Sequence, residues 1–196
     1  MLKIKECTPE DMQNEFMKLS AEEKLFDVVE NPNKFLEFLT LTDNKNSKGF
    51  FWAPASTKYH GNYLGGLYDH SRAVFLRLKK LTEDNRLAWG RPQSPFIIGM
   101  FHDLCKYDQY NAIGEEDGKV LYEYNTNTLI QGHGAKSIIL LSQFINLTEE
   151  EMLCIRYHMG AYEKEEWSQY DMAIRKFPNV LWTHHADMLA SKVDGT

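Results

Sequence analysis

Apolar residues recur at helical spacing along most of this chain, and the polar breaks between the runs fall on cap and turn residues. Thr8 with Asp11 precedes an amphipathic stretch, and Pro9 suits a first helical turn. Ser20 followed by Glu23 makes a capping-box pattern, predicting a fresh helix through Leu25, Phe26, Val28 and Val29. Asn31-Pro32 ends it, and residues 34–41 supply another short apolar helix. Residues 42–49 read as a polar loop, and 50–56 as extended because of Pro54. After a Gly-rich approach through His60, Gly61, Gly65 and Gly66, the apolar positions Val74, Phe75, Leu78 and Leu81 predict a helix with His70 in its first part. Residues 96–106 predict an apolar helix carrying His102-Asp103 near its end.

Residues 107–131 depart from helical periodicity. Glu116 to Lys119 is a turn signal and Val120 to Tyr124 has strand-like composition, predicting a short hairpin near residues 115–130. Gly132-His133-Gly134 opens the next helix, and Thr148 with Glu151 caps another that runs to His158. Residues 159–170 read as a polar-aromatic loop. Two final helices are expected over 171–177 and 178–192, the last carrying His184, His185 and Asp187. The pattern is all-α in class, one helical bundle with a small β insertion. It divides into an N-terminal elaboration, residues 1–50, and a main domain, residues 51–196.

A hydrophobic share of 43% in 196 residues supports a sizeable core. The net charge of −6 argues against broad nucleic-acid binding, which leaves a basic footprint, but not against a small anionic substrate in a locally positive pocket. Cys7, Cys105 and Cys154 are odd in number and lack CxxC spacing, so a reducing compartment is expected; Cys105 and Cys154 read as small core residues. No apolar run approaches membrane-span length and the start does not resemble a signal peptide, so the chain reads as cytoplasmic with no membrane partner. No motif encodes the oligomeric state.

Six of the seven histidines form an ordered series: His70, His102 beside Asp103, His133, His158, then His184 and His185 before Asp187. Imidazoles and carboxylates are the ligands of hydrolytic metal centres. Successive candidates lie about 25–32 residues apart, roughly one helix plus a connection, so each would come from a different element of the bundle. Adjacent residues on a helix point about 100° apart, yet near a helix end His102 and Asp103 can both turn into one cavity. If two ions sit about 4 Å apart, the Asp103 carboxylate can bridge them while His102 binds one. Lys106, three residues on, is placed to offer positive charge to a phosphate. For each residue a plainer role competes: His133 as a residue of the loop-to-helix junction, His158 at a helix C-terminus where the macrodipole favours imidazolium, His60 as a loop histidine. Arg72 and Arg156 have the chemistry for phosphate contacts, although each lies two residues from its neighbouring histidine, which turns it to another helix face. Tyr107, Tyr162 and Trp167 lie beside these motifs, where stacking on a base and packing are both open.

The motifs GGLYDHS, FHDLCK, GHG, RYHMGAYE and HHADMLAS together resemble the HD-domain superfamily of metal-dependent phosphohydrolases, in its binuclear form. They are similar to HD-GYP domains, to small stand-alone bacterial and phage HD hydrolases and, through HGNYLGGLYDHS, to the HD domains attached to bacterial 3′–5′ exoribonucleases. The resemblance covers roughly residues 54–193. It implies an HD-type helical bundle in which His70, His102, Asp103 and Asp187 are core metal ligands, His133 and His158 complete a second site, and Asp103 and Lys106 serve catalysis. His60, Arg72, Lys106 and Tyr162 are the candidate substrate contacts. One or two divalent transition ions are implied (Mn, Fe, Co, Ni or Zn), acting on a small phosphorylated substrate, a nucleotide first, with extended nucleic acid disfavoured. The GYP element and an RNA-delivering OB domain are both missing from the pattern. An RNA- or DNA-processing phosphodiesterase, a non-catalytic metal- and nucleotide-binding regulator and a di-iron oxygenase remain alternatives.

Overall fold

Thr8 sets the first helix of the fold. In the computed structural model, which describes residues 4–41, 48–161 and 166–196, its hydroxyl accepts from the Asp11 N–H at 3.2 Å while Asp11 accepts from the Thr8 N–H at 2.9 Å. That reciprocal cap starts α1, Pro9–Glu22. The expected restart at Ser20 does not occur. Met12, Phe16 and Ser20 fall on one buried stripe, so packing carries α1 through the local cap signal. The chain breaks later, where Lys24 takes a left-handed conformation (φ 55°), and a 3-10 turn follows over Leu25–Asp27. Asn31, read as a helix break, caps the next helix instead, so α2, Pro32–Thr40, starts two residues before the expected 34. Residues 42–47 of the expected polar loop lie outside the described residues. Phe50 to Trp52 turn rather than extend, because both phenyl rings are drawn into the core.

Helix α3 spans Gly66–Asn85 and α4 spans Ser94–Phe101, buried along its whole length. The helix expected to reach Lys106 ends at Phe101; Leu104–Asp108 continues as a 3-10 turn. The hairpin is β1, Tyr110–Glu116, paired antiparallel with β2, Lys119–Tyr124, around Asp117-Gly118, both at positive φ. The expected hairpin is therefore present, starting five residues before the expected 115 and ending six before 130. Tyr110, 4% exposed, anchors the first strand beside the core, and residues after 124 leave the ladder. Helices α5 (His133–Leu141) and α6 (Glu149–Arg156) follow, the latter with the predicted Thr148–Glu151 capping box formed in both directions. Helix α7, Trp167–Lys176, starts four residues before the expected 171, and α8 is Asn179–Leu189. Beyond Leu189 the expected α-helix gives way to a π-helical turn, Ala190–Asp194.

One apolar cluster joins these elements. Phe16 and Phe35 from α1 and α2 pack their rings 6.1 and 5.5 Å from that of Phe101, so the N-terminal helices share the core that carries the rest. The protein is mostly helical with one small antiparallel hairpin, and no helix among the described residues is long and apolar enough to cross a membrane.

Candidate metal centre

Two close helix approaches bring the histidines together. A Cβ on Gly99 would lie 2.4 Å from the Phe75 Cα, so only glycine lets α4 lie this tightly on α3, and His102 arrives beside His70. A Cβ on Gly134 would lie 2.6 Å from the Ile155 oxygen; the same device presses the start of α5 onto α6 and sets His133 beside His158. The break after Phe101 then turns Asp103 (φ −104°, ψ 18°) into the space between the two pairs. Helix α8 supplies Asp187 from the fourth side.

Asp103 sits at the centre, 2% exposed, and its two oxygens face different partners. Oδ2 lies 3.6 Å from the Nε2 atoms of both His70 and His102, and 2.7 Å from Lys106 Nζ. Oδ1 lies 2.6 Å from His133 Nε2 and 3.3 Å from His158 Nε2. Asp187 Oδ1 is 3.1 Å from His70 Nε2, and the Nε2 atoms of His70 and His102 face one another at 3.2 Å.

The outer nitrogens fix which ring atoms carry lone pairs. His102 Nδ1 meets the Gly99 oxygen at 2.9 Å, His158 Nδ1 the Ile155 oxygen at 2.8 Å, and His70 Nδ1 the main-chain oxygen of Thr196 at 3.0 Å. A carbonyl oxygen can only accept, so each Nδ1 carries a proton, and an ion bound at the centre would meet the Nε2 lone pair of each ring. The Nε2 atoms of His70 and His102 thus face each other across the space an ion would fill. The short distances around Asp103 Oδ1 lack hydrogen-bond angles with His158, and both Asp103 Oδ1 and His158 Nε2 are buried without a hydrogen-bond partner. Such an arrangement asks for cations between the rings. Ligands about 2.1 Å from one ion are about 3.0–3.4 Å from each other; the His70–His102, His70–Asp187 and His158–Asp103 separations fall in that range. Three overlapping trios could hold an ion: His70, His102 and Asp187; His102, Asp103 and His158; Asp103, Cys105 and His133. The residues present fit a metal centre.

Electrostatics agree. Burial pushes His102 down to about 3, keeping it neutral. Burial alone would raise the Asp103 carboxyl, but Lys106 and His133 outweigh it and hold it well below the usual carboxylate range. Asp187 is likewise lowered, the His70 hydrogen bond and charge overcoming burial. Lys106 and His158 are both raised, since the neighbouring Asp103 carboxylate outweighs their burial.

Of the remaining candidates, His60 reaches the site: its ring centre is 5.1 Å from that of His70, and burial, reinforced by His70 and Lys106, pushes it down to about 4. Arg72 does not. It turns to α1, where its Nε lies 2.8 Å from Glu15, so it serves helix packing and not a substrate. Arg156 pairs with Glu166 at 2.6 Å on the rim. Tyr107 packs on Phe38, and Tyr162 lies outside the described residues. His184 donates from Nδ1 to the main-chain oxygen of His158 at 2.7 Å, tying α8 to the loop after α6. Cys105, read as a core residue, places Sγ 3.6 Å from His133 Nδ1, on the ring face away from Asp103. Burial pushes its thiol up to about 12, so without metal it stays a thiol and orients that ring. A cavity of about 260 Å³ lies over the cluster, and one of about 630 Å³ adjoins it, lined by Tyr59, Lys106, Gln109, Tyr110 and Tyr124 among others.

No family model matches the chain, and neither curated proteins nor solved structures give a match. The site's chemistry therefore rests on its geometry.

Proposed function

We propose that the chain is an HD-type, metal-dependent phosphohydrolase with two ions, acting on a small phosphoester, a nucleotide first. The observation that carries this reading is the division of Asp103 between two histidine sets. Its Oδ2 joins His70, His102 and Asp187 as one ligand set, and its Oδ1 joins His133 and His158 as the other. Imidazole and carboxylate donors suit Mn, Fe, Co, Ni or Zn. Divalent ions in such a site would supply Lewis acidity and would lower the pKa of bound water towards neutrality.

The chain's own residues do the rest. Lys106, at the border of both cavities, has its ammonium at Asp103 and can neutralise charge growing on a phosphoryl oxygen. His60, held neutral, offers a hydrogen bond without adding charge. The larger cavity takes the leaving group, and its aromatic and amide lining suits a planar one. As a water oxygen bonds to phosphorus, the bond to the leaving oxygen breaks and that oxygen takes up a proton. A cavity of this size favours a mononucleotide-sized ligand over extended nucleic acid.

Elemental analysis with a phosphate-release screen across nucleotides tests the reading. Close to two transition-metal equivalents and turnover of one class are expected. One equivalent would demote His133 and His158. Neither metal nor turnover, after loading with Mn or Fe, would sink the proposal and favour a regulator.

A further inference from the structure

Helix α8 changes its winding just after Asp187. At Ala190 it opens into a π-helical turn that ends at Asp194. Such turns are rare, cost regular hydrogen bonding and recur at functional sites. This one is tied down at several points. Arg77 Nε lies 2.7 Å from Asp194 Oδ2, the Thr196 N–H donates to the Ala190 oxygen at 3.2 Å, and the Thr196 oxygen accepts from His70 Nδ1. The turn is thus built into the back of the metal cluster, and its residues Ser191 and Lys192 line the 260 Å³ cavity with His70, Asp103 and Lys106.

Lys192 differs from the other cations around the two cavities. Lys106 is bound to Asp103 and Arg156 to Glu166, whereas Lys192 is exposed and makes no ion pair among the described residues. An uncommitted ammonium facing a pocket floored by candidate metal ligands is a ready partner for an anion. We infer that Lys192 is a second phosphate-binding residue, placed by the π-helical turn so that a phosphoryl group sits between it and Lys106. The inference rests on the proposed phosphohydrolase reading and narrows it. The phosphoryl group lies in the small cavity beside the ligand cluster, and the organic group extends into the larger one.

The test is calorimetric titration of inorganic phosphate into the manganese-loaded protein, with metal content measured on each variant. Lys192→Ala should weaken phosphate binding roughly tenfold with metal content unchanged, and Lys192→Arg should restore most of it. Asp194→Asn separates placement from mere charge. Removing a nearby negative charge should by itself strengthen phosphate binding; if the turn positions Lys192, the variant weakens it. Wild-type affinity in Lys192→Ala, or tighter binding in Asp194→Asn, would overturn the inference while leaving the metal centre intact. A wild-type protein that takes up no metal would instead overturn the phosphohydrolase reading, and this inference with it.

Discussion

Asp103→Asn probes the centre without any assumption about substrate. In the metal-free protein Asp103 and Lys106 are an ion pair at 2.7 Å, with side chains 2% and 9% exposed. Removing one partner of a buried pair costs about 3–5 kcal/mol, because the other charge is left without compensation. Lys106 can escape part of that by shedding its proton, which points to the lower end, about 3 kcal/mol. For a chain of this length each kcal/mol is about 2–4 °C, so the melting temperature should fall by about 6–12 °C. The assays are thermal melting and urea denaturation, both in chelator at pH 7.5. Because every proton bound near the site has lost its counter-charge, the deficit against wild type should widen as pH falls towards 6. The double variant Asp103→Asn/Lys106→Met removes both charges and should recover about 2 kcal/mol of the loss. A single variant within about 1 kcal/mol of wild type, or a double variant no more stable than the single, would refute the argument that Asp103 holds Lys106 at the centre.

Three further outcomes follow from the same geometry. Gly134→Ala places a methyl 2.6 Å from the Ile155 oxygen and must spread α5 from α6; on the proposed two-ion reading, metal analysis should show loss of the ion that His133 and His158 would hold before the one that His70, His102 and Asp187 would hold. His60 and His102 have folded-state values of about 4 and about 3, so below the unfolded value near 6.5 the unfolded chain takes up protons the fold refuses. Metal-free stability should therefore fall as pH drops from about 6.5 towards 4, and an NMR titration showing His60 charged at pH 6 would contradict it. Arg72→Met removes the partner of Glu15 and should cost about 2 kcal/mol in urea denaturation while leaving metal content and turnover near wild type; lost turnover with metal retained would return Arg72 to the site.

How much of this was legible from the residues depends on the range of the forces involved. Caps are local, and Thr8–Asp11 and Thr148–Glu151 form as their patterns predict. Ser20–Glu23 has the same pattern and fails, because Ser20 is itself the last position of the buried stripe with Met12 and Phe16 and its hydroxyl caps nothing. The turn at Asp117-Gly118 is equally local, yet the hairpin's extent is not; it follows from Tyr110 packing beside the core. Of the histidine series, His70, His102, His133 and His158 do converge, whereas His184 holds a main-chain oxygen, and spacing could not show which or how. Convergence depends on Gly99 and Gly134, whose importance exists only once a second helix lies against each.

The departures from α-geometry lie closest to the candidate chemistry, and this has a physical reason. A regular helix through residues 96–106 would set the His102 and Asp103 side chains about 100° apart; ending α4 at Phe101 lets both face one cavity. A regular helix through residue 192 would likewise leave the segment after Asp187 on its own axis, whereas the π-helical turn brings the Thr196 oxygen to His70 Nδ1 and Lys192 to the cavity. Apolar periodicity is nearly blind to such changes, since one residue more or less per turn shifts few apolar positions in a short segment. The irregular turns are held by tertiary contacts, among them Arg77 to Asp194 and Cys105 N–H to the Ser137 hydroxyl at 2.9 Å, between residues far apart in the chain. A regular bundle packs its core without help from such turns. Their position on either side of one buried carboxylate fits the metal centre that the residues around it could hold.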